Sequence, residues 1–153
     1  MLTLGILSGT SVDAVDIALV DWQSQSPKLI AFDELEWPKH IQALLLALPE
    51  SPHLSLAQLG ELHTAVAQAF AHRIHDFLIK HQLQAADIAI IGSHGQTVWH
   101  QPHGEHPFSM QLGHGAVIAK LTGIAVAADF RMDDVALNGQ GAPLAPAFHE
   151  VLF

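Results

Sequence analysis

The chain has 153 residues, half of them hydrophobic and only 14% charged, which gives enough apolar material for one real core and excludes a disordered segment. A net charge of -9 with six scattered Lys and Arg excludes a basic nucleic-acid surface, and the lack of cysteine excludes disulfides and thiolate chemistry. No apolar run is long enough for a membrane span and the N-terminus lacks a basic secretion signal, so the expectation is a cytoplasmic chain with neither nucleic-acid nor membrane partners.

Leu2–Leu7 and Ala14–Asp21 read as two strands joined by a polar turn, Ser8-Gly9-Thr10-Ser11. Gly9 lacks a Cβ and can take a positive φ or admit a ligand oxygen to the backbone. The turn supports two readings: a hairpin connection that is merely polar, or a concave anion site built from successive N–H groups and hydroxyls. No lysine follows, so the P-loop pattern is not met. Asp13 and Asp16 come next, and carboxylates beside a phosphate cradle make sense mainly with a divalent cation between them. Lys28–Glu36 reads as a third strand, completing an antiparallel meander. Pro38 opens a short helix through Leu48, which Pro49 closes.

Ser55-Leu-Ala-Gln58 has the form of a capping box. Apolar residues from Leu56 to Leu78 then recur at three- and four-residue steps, predicting a long amphipathic helix to about Gln82. His63, His72, His75 and His81 lie on it and read as surface or flank residues. Asp87–Gly92 predicts a buried parallel strand that runs into Ser93-His94-Gly95-Gln96-Thr97. Ligands in open α/β sheets sit just past strand carboxyl ends, so this cluster is a candidate binding loop; equally, Gly95 could turn the chain and His94 cap it. His100, His103 and His106 fall at three-residue steps in a Pro/Gly loop, not on a helix face, which argues against a zinc site.

Phe108–Leu112 predicts another strand, Ala116–Leu121 a helix that Gly123 ends, and Ile124–Ala128 a buried strand. Asp129 and Arg131 follow at its carboxyl end, either as binding residues or as a local surface pair. Asn138-Gly-Gln-Gly-Ala-Pro143 predicts a tight turn with free N–H groups before a helix running from Pro143 to Phe153. That helix stays apolar to the last residue, so the chain is expected to be a piece of a longer protein, and self-association as a homodimer is expected of it. The order of elements, three antiparallel strands and then helices alternating with parallel strands, is that of one ribonuclease-H-like α/β domain.

Several strings resemble one family of the actin-like ATPase and sugar-kinase superfamily, the anhydro-N-acetylmuramic acid kinases. Gly9-Thr-Ser-Val-Asp-Ala-Val-Asp16 is similar to the family's ATP-binding hairpin, and Ile91-Gly-Ser-His-Gly-Gln-Thr-Val98 resembles its sugar-site loop. Thr122-Gly-Ile124, Ala128-Asp-Phe-Arg131 and Gly139-Gln-Gly-Ala-Pro-Leu-Ala-Pro-Ala-Phe-His149 look like further family strings, all in the right order. The resemblance implies a kinase that uses ATP and Mg²⁺ to open 1,6-anhydro-N-acetylmuramic acid with water and phosphorylate O6, in peptidoglycan recycling. It implies that Gly9, Thr10, Ser11, Val12, Asp13, Ala14, Val15 and Asp16 hold the nucleotide, with Asp13 and Asp16 toward the metal. His94, Gln96, Thr97, Asp129 and Arg131 would face the sugar. The aspartate that activates water is expected beyond Phe153, so this chain is read as the N-terminal lobe of two, inactive alone. Ala14 replaces a frequent family glycine, His114 a usual Asp or Asn, and Met132 and Asp133 two frequent arginines. The alternatives are a non-catalytic binding module that kept the lobe, and another sugar kinase of the superfamily.

Overall fold

The computed structural model describes residues 1–23, 26–51, 53–146 and 149. Alternation of apolar and polar residues builds the first three strands: β1 (Leu2–Ser8), β2 (Val15–Asp21) and β3 (Lys28–Leu35). β1 pairs antiparallel with β2, and β2 antiparallel with β3, so the expected meander is present. Leu4, Ile6, Val15, Ile17 and Leu19 point to one face and are buried. On the other face Leu7 and Phe32 are exposed.

Helix α1 (Lys39–Ala47) starts after Pro38 and passes into a 3-10 turn at Leu48–Glu50. Helix α2 (Leu56–Lys80) begins at the predicted capping box: Ser55 accepts from the Gln58 N–H, and Gln58 reaches back to the Ser55 N–H. Its stripe of Leu62, Val66, Phe70, Ile74 and Phe77 packs on the buried sheet face, where each side chain contributes roughly 1.5–3 kcal/mol by leaving water. The far end of α2 is fixed by Asp33 of β3, which accepts from Lys80 Nζ at 2.5 Å and contacts His81 Nε2 at 3.0 Å.

Strand β4 (Ile88–Gln101) departs from expectation. It is parallel to β1, as predicted, but it does not stop at Gly92. Ser93–Thr97 is strand rather than a loop past a strand end. The ladder to β1 slips between Ile6↔Ser93 and Leu7↔Gly95, leaving His94 as an extra, bulged residue. Gly95 takes φ +77°, and a Cβ there would lie 2.7 Å from the Leu112 carbonyl oxygen, so glycine is required.

Strand β5 (Phe108–Leu112) returns antiparallel to β4, which corrects the expectation of parallel strands only in the second half. Helix α3 (Gly115–Thr122) ends at Gly123 in the left-handed conformation, as predicted. Strand β6 (Val126–Ala127) is parallel to β4 but only two residues long. It leads directly into a helix the sequence reading did not include, α4 (Phe130–Ala136). The sheet order is β3-β2-β1-β4-β5, with β6 also beside β4. The result is a mixed sheet flanked by helices. Most of the helix expected over 143–153 lies outside the described residues, and so does the self-association read from its apolar end.

Candidate functional site

The β1–β2 hairpin ends in a turn closed by the Val12 N–H donating to the Gly9 carbonyl at 3.1 Å. Of the two uses open to Gly9, the positive φ is not the one adopted: it falls on Val12, at +57°, where the side chain is buried. A β-branched residue in that region costs on the order of 1–3 kcal/mol and needs surrounding structure to hold it. Three side chains do so: Gln42 Nε2 donates to the Val12 carbonyl at 2.9 Å, Gln96 Nε2 to the Gly9 carbonyl at 3.1 Å, and Trp37 Nε1 to Ser8 Oγ at 3.1 Å. Gly9, Thr10 and Ser11 stay exposed at the tip. Among the described residues, neither the N–H nor the hydroxyl of Thr10 or Ser11 has a partner. A Cβ at Gly9 would meet only Ser11 Oγ, at 3.6 Å, so internal packing does not demand glycine there.

Asp13 is exposed just past the tip. Asp16 is half-buried in β2, opposite Leu7 of β1 and Glu34 of β3. Ala14 and Val15 are the last turn residue and the first residue of β2, and Val15 is wholly buried in the core.

The bulge at His94 reverses the side-chain phase of β4. Gln96 pairs with Ser8 and shares its buried face, at 2% exposure. Its amide N–H groups go to the Gly9 and Thr97 carbonyls, and its Oε1 is buried without a partner. Gln96 therefore supports the turn from behind. Thr97 remains half-buried and open to the groove described next.

A groove of about 410 Å³ runs between the hairpin tip and the segment after α4. Its walls include Ser8, Gly9, Thr10, Thr97, His94, Arg131 and residues 142–145. Arg131, in the first turn of α4, donates from Nε to His94 Nε2 at 2.7 Å and from Nη1 to the Gly141 carbonyl at 3.2 Å. It makes no pair with Asp129, so the surface-pair reading of those two residues is replaced by this one. Nη2 has no partner among the described residues, which leaves a cationic donor edge for a ligand in the groove.

Asp129 takes φ +65° as the residue before α4 and opens on a different cavity, of about 150 Å³, behind His94. Ser93, His63 and His114 share that cavity, and Ser93 Oγ is buried in it without a partner. His63 is half-buried and accepts from the Gly113 N–H at 3.0 Å, with its ring 5.1 Å from that of His114. His63 and His81 are half-buried on the flank of α2, whereas His72 and His75 are exposed on its surface, in keeping with the expectation of surface or flank positions. Burial, and then the neighbouring His114, holds the His63 pKa below the usual imidazole value. His100 belongs to β4 and bonds Ser109 at 3.0 Å, away from the exposed His106.

The turn at 138–143 also differs from expectation. Its glycine N–H groups are not free: Gly139 donates to the Asp134 carbonyl at 2.8 Å and Gly141 to Asp134 Oδ2 at 2.7 Å. Gly141 takes φ +68°, with no room for a Cβ 2.9 Å from the Arg131 carbonyl oxygen. Asp134, Trp37, Gln42 and His63 were not singled out as site residues from sequence; Trp37, Gln42 and His63 act through partners distant in the chain, Asp134 through the glycines of the neighbouring turn, and only the turn strings they support carry a local signal. Met132 and Asp133 are exposed on α4, and His114 caps α3 by accepting from the Ala116 N–H.

The family model for anhydro-N-acetylmuramic acid kinase matches residues 1–153. Curated proteins of that name are similar to this chain. The one from Actinobacillus pleuropneumoniae serotype 5b is 47% identical over 152 residues, covering 99% of this chain and 41% of the relative. That from Mannheimia succiniciproducens is 48% identical over 150 residues, 98% of this chain and 40% of the relative. That from Pasteurella multocida is 46% identical over 153 residues, 100% of this chain and 41% of the relative. The chain thus spans about two fifths of the length of the curated relatives it matches.

Proposed function

The chain belongs to the anhydro-N-acetylmuramic acid kinase family, and on that premise we propose that the complete protein carrying it phosphorylates 1,6-anhydro-N-acetylmuramic acid at O6. In that reaction water adds at C1, the C1–O6 bond breaks, and O6 takes the γ-phosphoryl of ATP as ADP leaves. The product is N-acetylmuramic acid 6-phosphate, an intermediate of cell-wall recycling. We read the mixed sheet as a ribonuclease-H-like domain and the chain as the N-terminal lobe of a two-lobed, cytoplasmic kinase.

The observation that carries this reading is the groove. Three separate strings converge on it, Gly9 and Thr10 of the hairpin tip, Thr97 of β4 and Arg131 of α4; the unmatched groups of Thr10 and Arg131 suit anions, and Thr97, whose Oγ1 accepts from Gln111 Nε2 at 3.3 Å, keeps its hydroxyl hydrogen to donate. The Thr10 and Ser11 N–H and hydroxyl groups would hold phosphate oxygens, with Gly9 allowing close approach. Asp13 and Asp16 would hold the metal, directly or through water. Asp16 lies opposite Glu34 in the ladder, and facing carboxylates are unfavourable unless something neutralises them. When bound, MgATP supplies the phosphoryl group and the metal offsets its charge. Arg131 would take the sugar's carboxylate on its Nη2 edge, and Thr97 a sugar hydroxyl. Gln96 keeps the tip in shape, and Asp129 serves the cavity behind His94. No residue here is assigned to activate water; that aspartate is expected beyond Phe153.

The test is incubation of the complete protein, and of this chain alone, with ATP, Mg²⁺ and the anhydro sugar, followed by mass spectrometry. Product from the complete protein only, abolished by chelating the metal, is the expected result. Product from neither would replace this reading with a binding module that lacks the chemistry.

A further inference from the structure

We propose that His94 is a positioning residue: in its neutral, Nδ1-protonated form it fixes the guanidinium of Arg131 over the groove, and it releases that guanidinium when it gains a second proton. The proposal rests on the reading of Arg131 as the group that meets the sugar's carboxylate. Two bonds define the tautomer. His94 Nδ1 lies 2.9 Å from the Gly95 carbonyl, which can only accept, so Nδ1 carries the hydrogen. Arg131 Nε–H points at His94 Nε2 across 2.7 Å, so Nε2 must present its lone pair. An imidazolium would set N–H against N–H and place two cations in contact.

The bulge explains why this residue can reach. As the extra residue in the β1–β4 ladder, His94 is turned out of the strand's alternation and stands between the groove and the cavity behind it. Arg131 is held on its other edge by the Gly141 carbonyl, so one guanidinium joins β4, α4 and the 139–141 turn. With Nε and one Nη1 hydrogen taken, Nη2 is left facing a ligand, in the fixed planar geometry that suits a carboxylate. The charged or titratable groups around the imidazole are Arg131 from α4, Asp129 before α4, His63 from α2 and His114 before α3. Burial lowers the pKa of His94, the Gly95 carbonyl acts against this, and Arg131 adds to the lowering. The neutral form therefore persists through neutral pH, and the release occurs on the acid side.

The experiment uses the complete protein, wild type, His94→Gln and His94→Leu. Glutamine can place Oε1 near the Nε2 position and still accept from Arg131; leucine cannot. Nitrogen-15 NMR of labelled histidine and arginine should show the Nδ1–H tautomer and an Arg131 Nε–H protected from exchange in wild type and His94→Gln, and unprotected in His94→Leu. Binding is then measured from pH 7.5 to pH 5 for the anhydro sugar and for its analogue without the carboxylate. The leucine variant should bind the acidic sugar about 10- to 100-fold more weakly, the range of one charge-assisted hydrogen bond, and the neutral analogue unchanged. The glutamine variant should bind the acidic sugar within about threefold of wild type at pH 7.5, again on the scale of that single bond, but without the wild-type loss at acid pH. An Nε2–H tautomer, or a leucine variant with wild-type affinity and pH profile, would overturn the proposal. Equal loss for both sugars in both variants would also overturn it, since that marks direct contact. Should wild type bind neither sugar, the functional reading fails, and the NMR arm alone still decides whether the clamp exists.

Discussion

The hairpin tip at 9–11 and the turn at 139–141 look alike as sequence: short, polar, glycine-bearing and next to regular structure. In the folded chain they differ in where their polar groups go. At 139–141 the glycine N–H groups are taken by Asp134 and the Gly141 carbonyl by Arg131. At 9–11 the supporting bonds reach only the Gly9 carbonyl from behind, and the outward groups of Thr10 and Ser11 are unmatched among the described residues. One turn is a structural joint and the other leaves its donors open. A glycine turn is therefore classified by what binds its N–H groups, and its composition does not carry that information.

The largest effect that separates them is steric. Gly141→Ala, at φ +68° with the Arg131 carbonyl in the way, should destabilise the fold by about 2–4 kcal/mol in urea unfolding. Gly9→Ala should leave stability within about 0.5 kcal/mol of wild type while weakening nucleotide binding, because nothing inside the protein contacts that position closely. Equal destabilisation by the two would erase the distinction. Next in size, Asp134→Ala removes the acceptor of the Gly141 N–H and should cost about 1–2 kcal/mol, against no measurable change for Ser11→Ala.

Acid should act on one turn only. The folded pKa values of His63 and His94 lie below the ordinary value of 6.5, so the fold favours their neutral forms. Their contribution to stability is complete above pH 6.5 and is lost as pH falls through 6.5 toward the lower folded values. NMR signals of Arg131 and residues 139–141 should shift in that window while those of Thr10 and Ser11 stay put. The smallest effect is a distant control. Lys80 and His81 hold the Asp33 carboxyl below its usual pKa of 3.8, so its stabilisation is complete above that value and fades as pH falls further. Because Lys80 is 60% exposed, Asp33→Asn should cost only about 1 kcal/mol and leave both turns unchanged.

Legibility followed the range of the signal. The meander and α2 were readable because their apolar periods, two and then about 3.6, run over many residues, and the Ser55/Gln58 box and Gly123 marked ends locally. The extension of β4 was not, because Ser93-His-Gly-Gln-Thr97 has no alternation and the bulge resets its phase. Helix α4 was missed because seven residues with three acidic or basic side chains in the first turns leave little pattern. Among the candidate site residues, Gly9, Thr10, His94, Thr97 and Arg131 reach the groove. His94 bonds Arg131, Gln96 bonds the Gly9 carbonyl, and Asp129 opens on another cavity; those contacts depend on partners more than thirty residues away or on a backbone reversal.

Val12 carries a further consequence. Its carbonyl is held by Gln42 in the first turn of α1, its N–H by Gly9, and its side chain by the core, while Trp37 just before α1 reaches Ser8. The hairpin tip and the start of α1 therefore share one cooperative unit of local opening, although the bonds that join them span 29 and 30 residues of chain. Heating, or a substitution that frays α1, would loosen the exposed tip without touching it, and hydrogen exchange at Val12 would rise together with exchange in α1 and not with that of the strands on either side.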